Sequence, residues 1–332
     1  MKTSRSFISL VVFAAVSFLS ATGWTQSLWV GSNITDSVIQ YDGSTGGFDK
    51  TFVTPTLGGL KGPEGITWGP DGNLYVSSLD TDSVLRYDGT TGAFLGAFVT
   101  TTLGGLNNPM DLSFGPDGNL YVASFDTSSV LRYDGTTGAF VDMFVTPTLG
   151  GLKKPVGLSW GPDGNLYVAS SENNSVLRYD GTTGDFVDAF VTAASGDLKD
   201  PQGLSWGPDG NLYVASCDNS SVLRYDGATG AFIDPFVTST LGSLSCPVGL
   251  AWGPDGHLYV ASIDNDSVLS YDGSTGAFLH AFVTTTLGGL NSPTFLTFDA
   301  SSGGGSGTGG STGSTGSTGG AGSSGGGCSL VR

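Results

Sequence analysis

Two acidic residues and two polar ones carry most of the chemistry this sequence offers. Glu64, Gln202 and Thr294 occupy one register of a 46-residue repeat whose other copies carry Met110, Val156 and Val248. Asp111 occupies the next register, where four copies carry Gly and one carries Phe295. A hard cation such as calcium or magnesium takes carboxylate and amide oxygens and completes its shell with water. Glu64 and Asp111, with Gln202 beside them, are therefore the set from which a divalent-cation site could be assembled. Residues found in every copy hold each copy together, so a single asymmetric site must come from registers where the copies differ. Read as exposed rim residues, Glu64 and Asp111 are expected to accept Ala with stability nearly unchanged.

The elements that position these residues follow from the repeat. Gly69-Pro70-Asp71-Gly72-Asn73-Leu74-Tyr75-Val76 returns at 115–122, 161–168 and 207–214, and at 253–260 with His257 for Asn. Tyr-Asp-Gly keeps the same step from Tyr41 to Tyr271. In the copy spanning 63–108, four short strands are predicted at 65–68, 74–78, 83–87 and 94–99, joined by Pro-Asp-Gly, Asp80-Thr81-Asp82 and Asp-Gly-Thr-Thr-Gly turns. A period in the forties built this way marks a propeller. The chain enters at a second strand (27–30) and leaves at a first strand (293–298), so three N-terminal strands and one C-terminal strand complete one blade. The predicted fold is all-β, a six-bladed β-propeller with four-stranded blades, its ring closed by this composite blade. Loops before the first strand and after the second share one face around the central channel. The variable registers sit at that channel mouth, ringed by loops such as Asp80-Thr81-Asp82 and Asp264-Asn265-Asp266 whose acids and hydroxyls suit weak calcium or carbohydrate contact or plain turn chemistry. His257 falls in a turn on the opposite face and His280 on an outer strand, too far from Glu64 for shared acid–base work.

Acids outnumber bases 29 to 12, giving a formal charge of −17, which repels phosphate backbones and excludes nucleic-acid binding. Residues 1–23 read as a secretory signal, with Lys2 and Arg5 before the apolar run 7–19, a run too short to span a bilayer permanently. The propeller is expected over 24–300. Residues 301–332 form a Gly/Ser/Thr-rich tail ending in a Cys328-containing segment, expected to be a disordered stalk. No transmembrane segment is expected in the mature chain, which is expected to be monomeric and secreted or attached to the cell surface. Cys217 ends a second strand and Cys246 precedes the next blade's first strand, so in an exported protein a Cys217–Cys246 disulfide is expected. It would close a loop of about 30 residues, worth about 3 kcal/mol on the chain-entropy view.

The motif Pro-x-Gly-[Leu/Ile]-x-[Trp/Phe]-Gly-Pro-Asp-Gly-Asn-Leu-Tyr-Val-Ala-Ser, followed by Ser-Val-Leu-Arg-Tyr-Asp-Gly, resembles the NHL repeat over about residues 27–299. It is also similar to streptogramin-lyase and gluconolactonase propellers. The gluconolactonase resemblance implies a divalent metal held by Glu, Asn and Asp at first-strand starts. Glu64 matches in kind, while Met110, Val156 and Val248 stand where further ligands would be needed. The lyase resemblance implies a catalytic His at the channel face, where this sequence places none. The tail, with its Gly-rich spacer and Gly-Gly-Cys-Ser-Leu, resembles the start of bacterial C-terminal sorting signals and implies a bacterial surface protein. The expected function is a non-enzymatic binding or interaction module needing no cofactor, with a protein or carbohydrate partner on the channel-mouth face. The alternative is a metal-dependent lactonase or streptogramin-lyase-like enzyme at the mouth.

Overall fold

A computed structural model of the chain describes residues 26–298, apart from Thr102, Ala194 and Thr286. The expected signal peptide, the tail and Cys328 lie outside the described residues. Six four-stranded antiparallel sheets are present, and in five of them the strands run from the innermost to the outermost in one meander. The blade following the composite one has strands Pro63–Trp68, Leu74–Ser78, Ser83–Tyr87 and Phe94–Val99. The composite blade takes its inner strand, Pro293–Phe298, from the far end of the chain and pairs it with Ser27–Ser32, in a register of Leu28 with Phe298 and Val30 with Leu296. Sharing one blade between the termini removes the two free edges that an open ring would expose. Among the described residues no helix is long and apolar enough to cross a membrane.

The blades are held to one another by rings of aromatic contacts. Tyr121 meets Phe144 of its own blade at 4.8 Å and Trp160 of the next at 4.9 Å, both edge-on. The same triad recurs around the ring and closes through Tyr259 with Phe298, and through Trp29 with Trp68. Edge-to-face contacts of this kind add about 0.5–1.5 kcal/mol per pair beyond area burial. A second link is polar. The hydroxyl of each third-strand Tyr donates to a carbonyl of the segment that leads out of the preceding blade, as Tyr87 does to Leu57 (3.0 Å) and Tyr179 to Leu149 (3.0 Å).

On the face away from the mouth, the turns close on themselves. The Asp71 carboxylate accepts from the Asn73 amide, the Asn73 side chain and the Tyr75 hydroxyl, and Gly72 supplies the positive φ (75°) that the turn needs. The Asp-Gly-x-Thr-Gly turns sit beside them. Each leading Asp accepts from the amides two and three residues on and from a Thr hydroxyl, as Asp134 does from Thr136 and Thr137.

Candidate functional site

Each inner strand opens with an interruption of its ladder. In the blade of Pro63–Trp68, Pro63 pairs with Ser78 and Ile66 with Val76, leaving Glu64 and Gly65 out of register. The other complete blades and the composite blade show the same shift, and it falls on the variable registers. A bulge re-aims the side chains it carries. Here it turns them inward rather than out to a solvated rim.

Glu64 is buried, only 8% exposed, and its Oε1 accepts from the Asn33 side chain at 2.7 Å. Burial raises its pKa to about 8, with the Asn33 bond opposing that rise and the nearby Asp80 charge adding to it. Asp111 is 1% exposed and accepts from two backbone amides, Leu112 at 2.9 Å and Leu158 of the next blade at 3.0 Å. Its burial outweighs both bonds and lifts it to about 7. Thr294 is fully buried, its hydroxyl directed at the Pro63 and Glu64 carbonyls, 3.0 Å from each. Gln202 is half-buried, with Nε2 3.5 Å from the Asp200 carbonyl. Val156, Val248 and Phe295 fill the same registers in other blades and share one buried apolar cluster, with Met110 packed against it. They come from blades on different sides of the ring, so apolar side chains meet across the axis just inside the mouth.

The structure also shows where the acids of the rim loops go. Asp36 Oδ1 accepts the Gly62 amide (2.8 Å), Asp82 the Asn108 amide (2.7 Å) and Asp266 the Ser292 amide (2.7 Å). Ser128, Asn174 and Ser220 do the same for Lys154, Asp200 and Cys246. In every blade this residue laces its loop to the amide just before the next blade's inner strand, across 26 residues of sequence. The local pattern of the loop suggested weak calcium or carbohydrate contact or a plain turn, because its partner lies one repeat away. Cys217 and Cys246 form a disulfide at one of these junctions. Among the described residues, one group of three potential metal-binding side chains lies close together, Asp200, Cys217 and Asp218, and there the Cys217 sulfur is bonded to Cys246.

A cation at the mouth would find Glu64 Oε1 held by the Asn33 side chain, both Asp111 oxygens accepting backbone amides, and apolar side chains in three of the remaining registers. The residues present do not assemble a multidentate metal set of the gluconolactonase kind. Neither histidine lies at the mouth. His257 sits in the turn beyond the far end of an inner strand, about 17 Å along the strand from the mouth. His280 is exposed on an outer strand, opposite Ser270.

This is a closed six-bladed propeller whose asymmetry is concentrated at one channel mouth. The chain belongs to the virginiamycin B lyase family, matched over residues 56–279. No curated protein matches it. Among solved structures it is similar to a chain in a nidogen/laminin complex, with a TM-score of 0.66 at 15% identity over 83% of this chain and 99% of that one. It is also similar to virginiamycin B lyase from Staphylococcus aureus, with a TM-score of 0.52 at 17% identity over 65% of this chain and 68% of that one. A protein of unknown function from Bacteroides caccae gives a TM-score of 0.61 at 14% identity, over 82% and 98%. At these identities the likeness is one of fold. A catalytically inactive His-to-Ala variant of the S. aureus lyase, solved with quinupristin, gives a TM-score of 0.55 at 17% identity, over 71% and 76%.

Proposed function

We propose that the protein is an exported, non-enzymatic propeller that binds a protein or carbohydrate partner on its channel-mouth face, at or outside the cell surface. It works as a monomer, needs no cofactor, and is displayed on its Gly/Ser/Thr tail. One observation carries this reading: the buried carboxylates at the mouth are engaged by donors of the chain itself, and both histidines lie elsewhere. General acid–base work needs its partners within hydrogen-bond reach of one another. A rim of half-exposed hydroxyls, amides and acids around an apolar plug is instead a surface for contact.

Family membership favours a second reading, a metal-dependent lactonase or streptogramin-lyase-like enzyme centred on Glu64, Asp111 and Gln202, with calcium or magnesium at Glu64. The test is to incubate the full chain with quinupristin and a lactone panel, with and without calcium, magnesium and manganese, and follow ring opening by mass spectrometry. No conversion is expected. Metal-dependent conversion that Glu64→Gln abolishes would replace the binding reading with the enzymatic one.

A further inference from the structure

Across each blade, one row of residues links the second, third and outer strands. In three blades that row is Tyr, Arg and Asp: Tyr121–Arg132–Asp142, Tyr167–Arg178–Asp188 and Tyr213–Arg224–Asp234. In each, the guanidinium fork grips the carboxylate along its Nε/Nη2 side, as Arg178 does with Nε to Asp188 Oδ1 at 3.1 Å and Nη2 to Oδ2 at 2.5 Å. The opposite nitrogen, Nη1, faces the Asp of the Pro-Asp-Gly turn at 3.5–3.9 Å. Planar guanidinium and carboxylate groups match one another in this two-bond pose, which is the strong form of the interaction.

The blade of Pro63–Val99 keeps the Tyr and the Arg but not the Asp. Its row is Tyr75–Arg86–Gly96. Arg86 Nη1 faces Asp71 at 3.7 Å, as in the sister blades, and the guanidinium still lies over the outer-strand Phe98 ring. Only the gripping side differs. Among the described residues Arg86 Nε is buried without an acceptor. A Cβ placed at Gly96, whose φ is 150°, would meet no atom within 4 Å, so no group of the chain crowds the position from which a carboxylate side chain starts in the sister blades. The Arg86 side chain is 32% exposed, against 20% in the three sisters. A buried charged donor without a partner is costly, which favours any acceptor that fits.

We infer that Arg86 and the gap at Gly96 form a binding slot for a single carboxylate, either a free monocarboxylate or an acidic side chain of a protein partner. The sister blades supply the pose: one oxygen on Nε, the other on Nη2, with the stem of the ligand where the Asp stem would be. The net negative charge of the chain does not forbid this, because exposed charges beyond about 8–10 Å are largely screened at physiological salt. The slot lies on the outer flank of the ring and is independent of anything bound at the channel mouth.

The test follows the Arg Nε–H signals of the full chain by 15N NMR, assigned with Arg86→Lys, during titration with acetate against chloride at equal ionic strength. The Arg86 signal is expected to move saturably towards those of Arg132, Arg178 and Arg224, over roughly 1–100 mM acetate, while chloride leaves it in place. Asp142→Gly should open a second slot, so that Arg132 becomes acetate-responsive. A capped Ala-Asp-Ala peptide binding roughly tenfold tighter than acetate identifies a protein partner as the source, and equal affinity identifies a small free carboxylate. Both outcomes support the slot. Equal responses to acetate and chloride at Arg86 would overturn it, as would an Arg132 in folded Asp142→Gly that ignores acetate.

Discussion

The two faces of the ring handle carboxylates in opposite ways. On the turn-bearing face, Asp42, Asp88, Asp134, Asp180, Asp226 and Asp272 are only half-buried and wrapped by donors two and three residues on. Their pKa values are lowered, chiefly by Ser or Thr hydroxyls and in Asp180 by the Thr183 amide. At the channel mouth, Glu64 and Asp111 are buried and raised. The first arrangement is repeated in every blade and holds a turn. The second occurs once at each position and depends on packing between blades. Exposed acids near the channel are therefore a poor guide to function in this ring, since most are spent on its mechanics.

The comparison can be broken most sharply at Asp111. Removing its carboxylate strands two buried amides, so Asp111→Ala should destabilise the protein by about 2–6 kcal/mol in denaturant melts. The sequence alone suggested almost no effect, and a loss below about 0.5 kcal/mol would show that the site is solvated after all. Next is pH. A group raised in the folded state adds stability that is present below its unfolded value and is lost as pH rises through its folded value. The mouth should therefore lose stability across the window ending near 7 for Asp111 and near 8 for Glu64. The turn acids, held low in the fold, lose theirs only as pH falls towards about 2, as for Asp42 and Asp272. Melting temperature is expected to decline from pH 5 to 8, and Asp111→Asn should flatten part of that decline. An unchanged slope would remove Asp111 from the account.

Smaller effects sharpen the contrast between links and turns. Tyr179→Phe removes one inter-blade bond and leaves the Leu149 carbonyl without that donor, which should cost about 1 kcal/mol. Thr137→Ala, in an exposed turn on the far face, should stay within about 0.5 kcal/mol. If the two losses came out equal, the Tyr bonds between blades would be no more important than a surface turn.

Much of this was legible in the sequence. The 46-residue step fixed the strand order, and the mismatch between its first and last strands revealed the composite blade. The missing partner of Arg86 was readable too, since Gly96 aligns with Asp142, Asp188 and Asp234. What stayed hidden depends on contacts between repeats. Asp36, Asp82 and Asp266 look like ordinary turn acids until the next blade's amide is placed against them. Glu64 and Asp111 look like rim residues until the bulge folds them inward, and the meeting of Val156, Val248 and Phe295 exists only once the ring has curved.

The composite blade also sets a clock on synthesis. Ser32 and Asn291 are hydrogen-bonded across 259 residues. At about 5–20 residues per second, the first strands wait roughly 13–50 s after their own emergence before the strand that completes their sheet exists. Through that interval Ser27–Ser32 carries an unpaired edge while five nearly identical sheets are synthesised after it. The ring can therefore close only after every other blade has been synthesised.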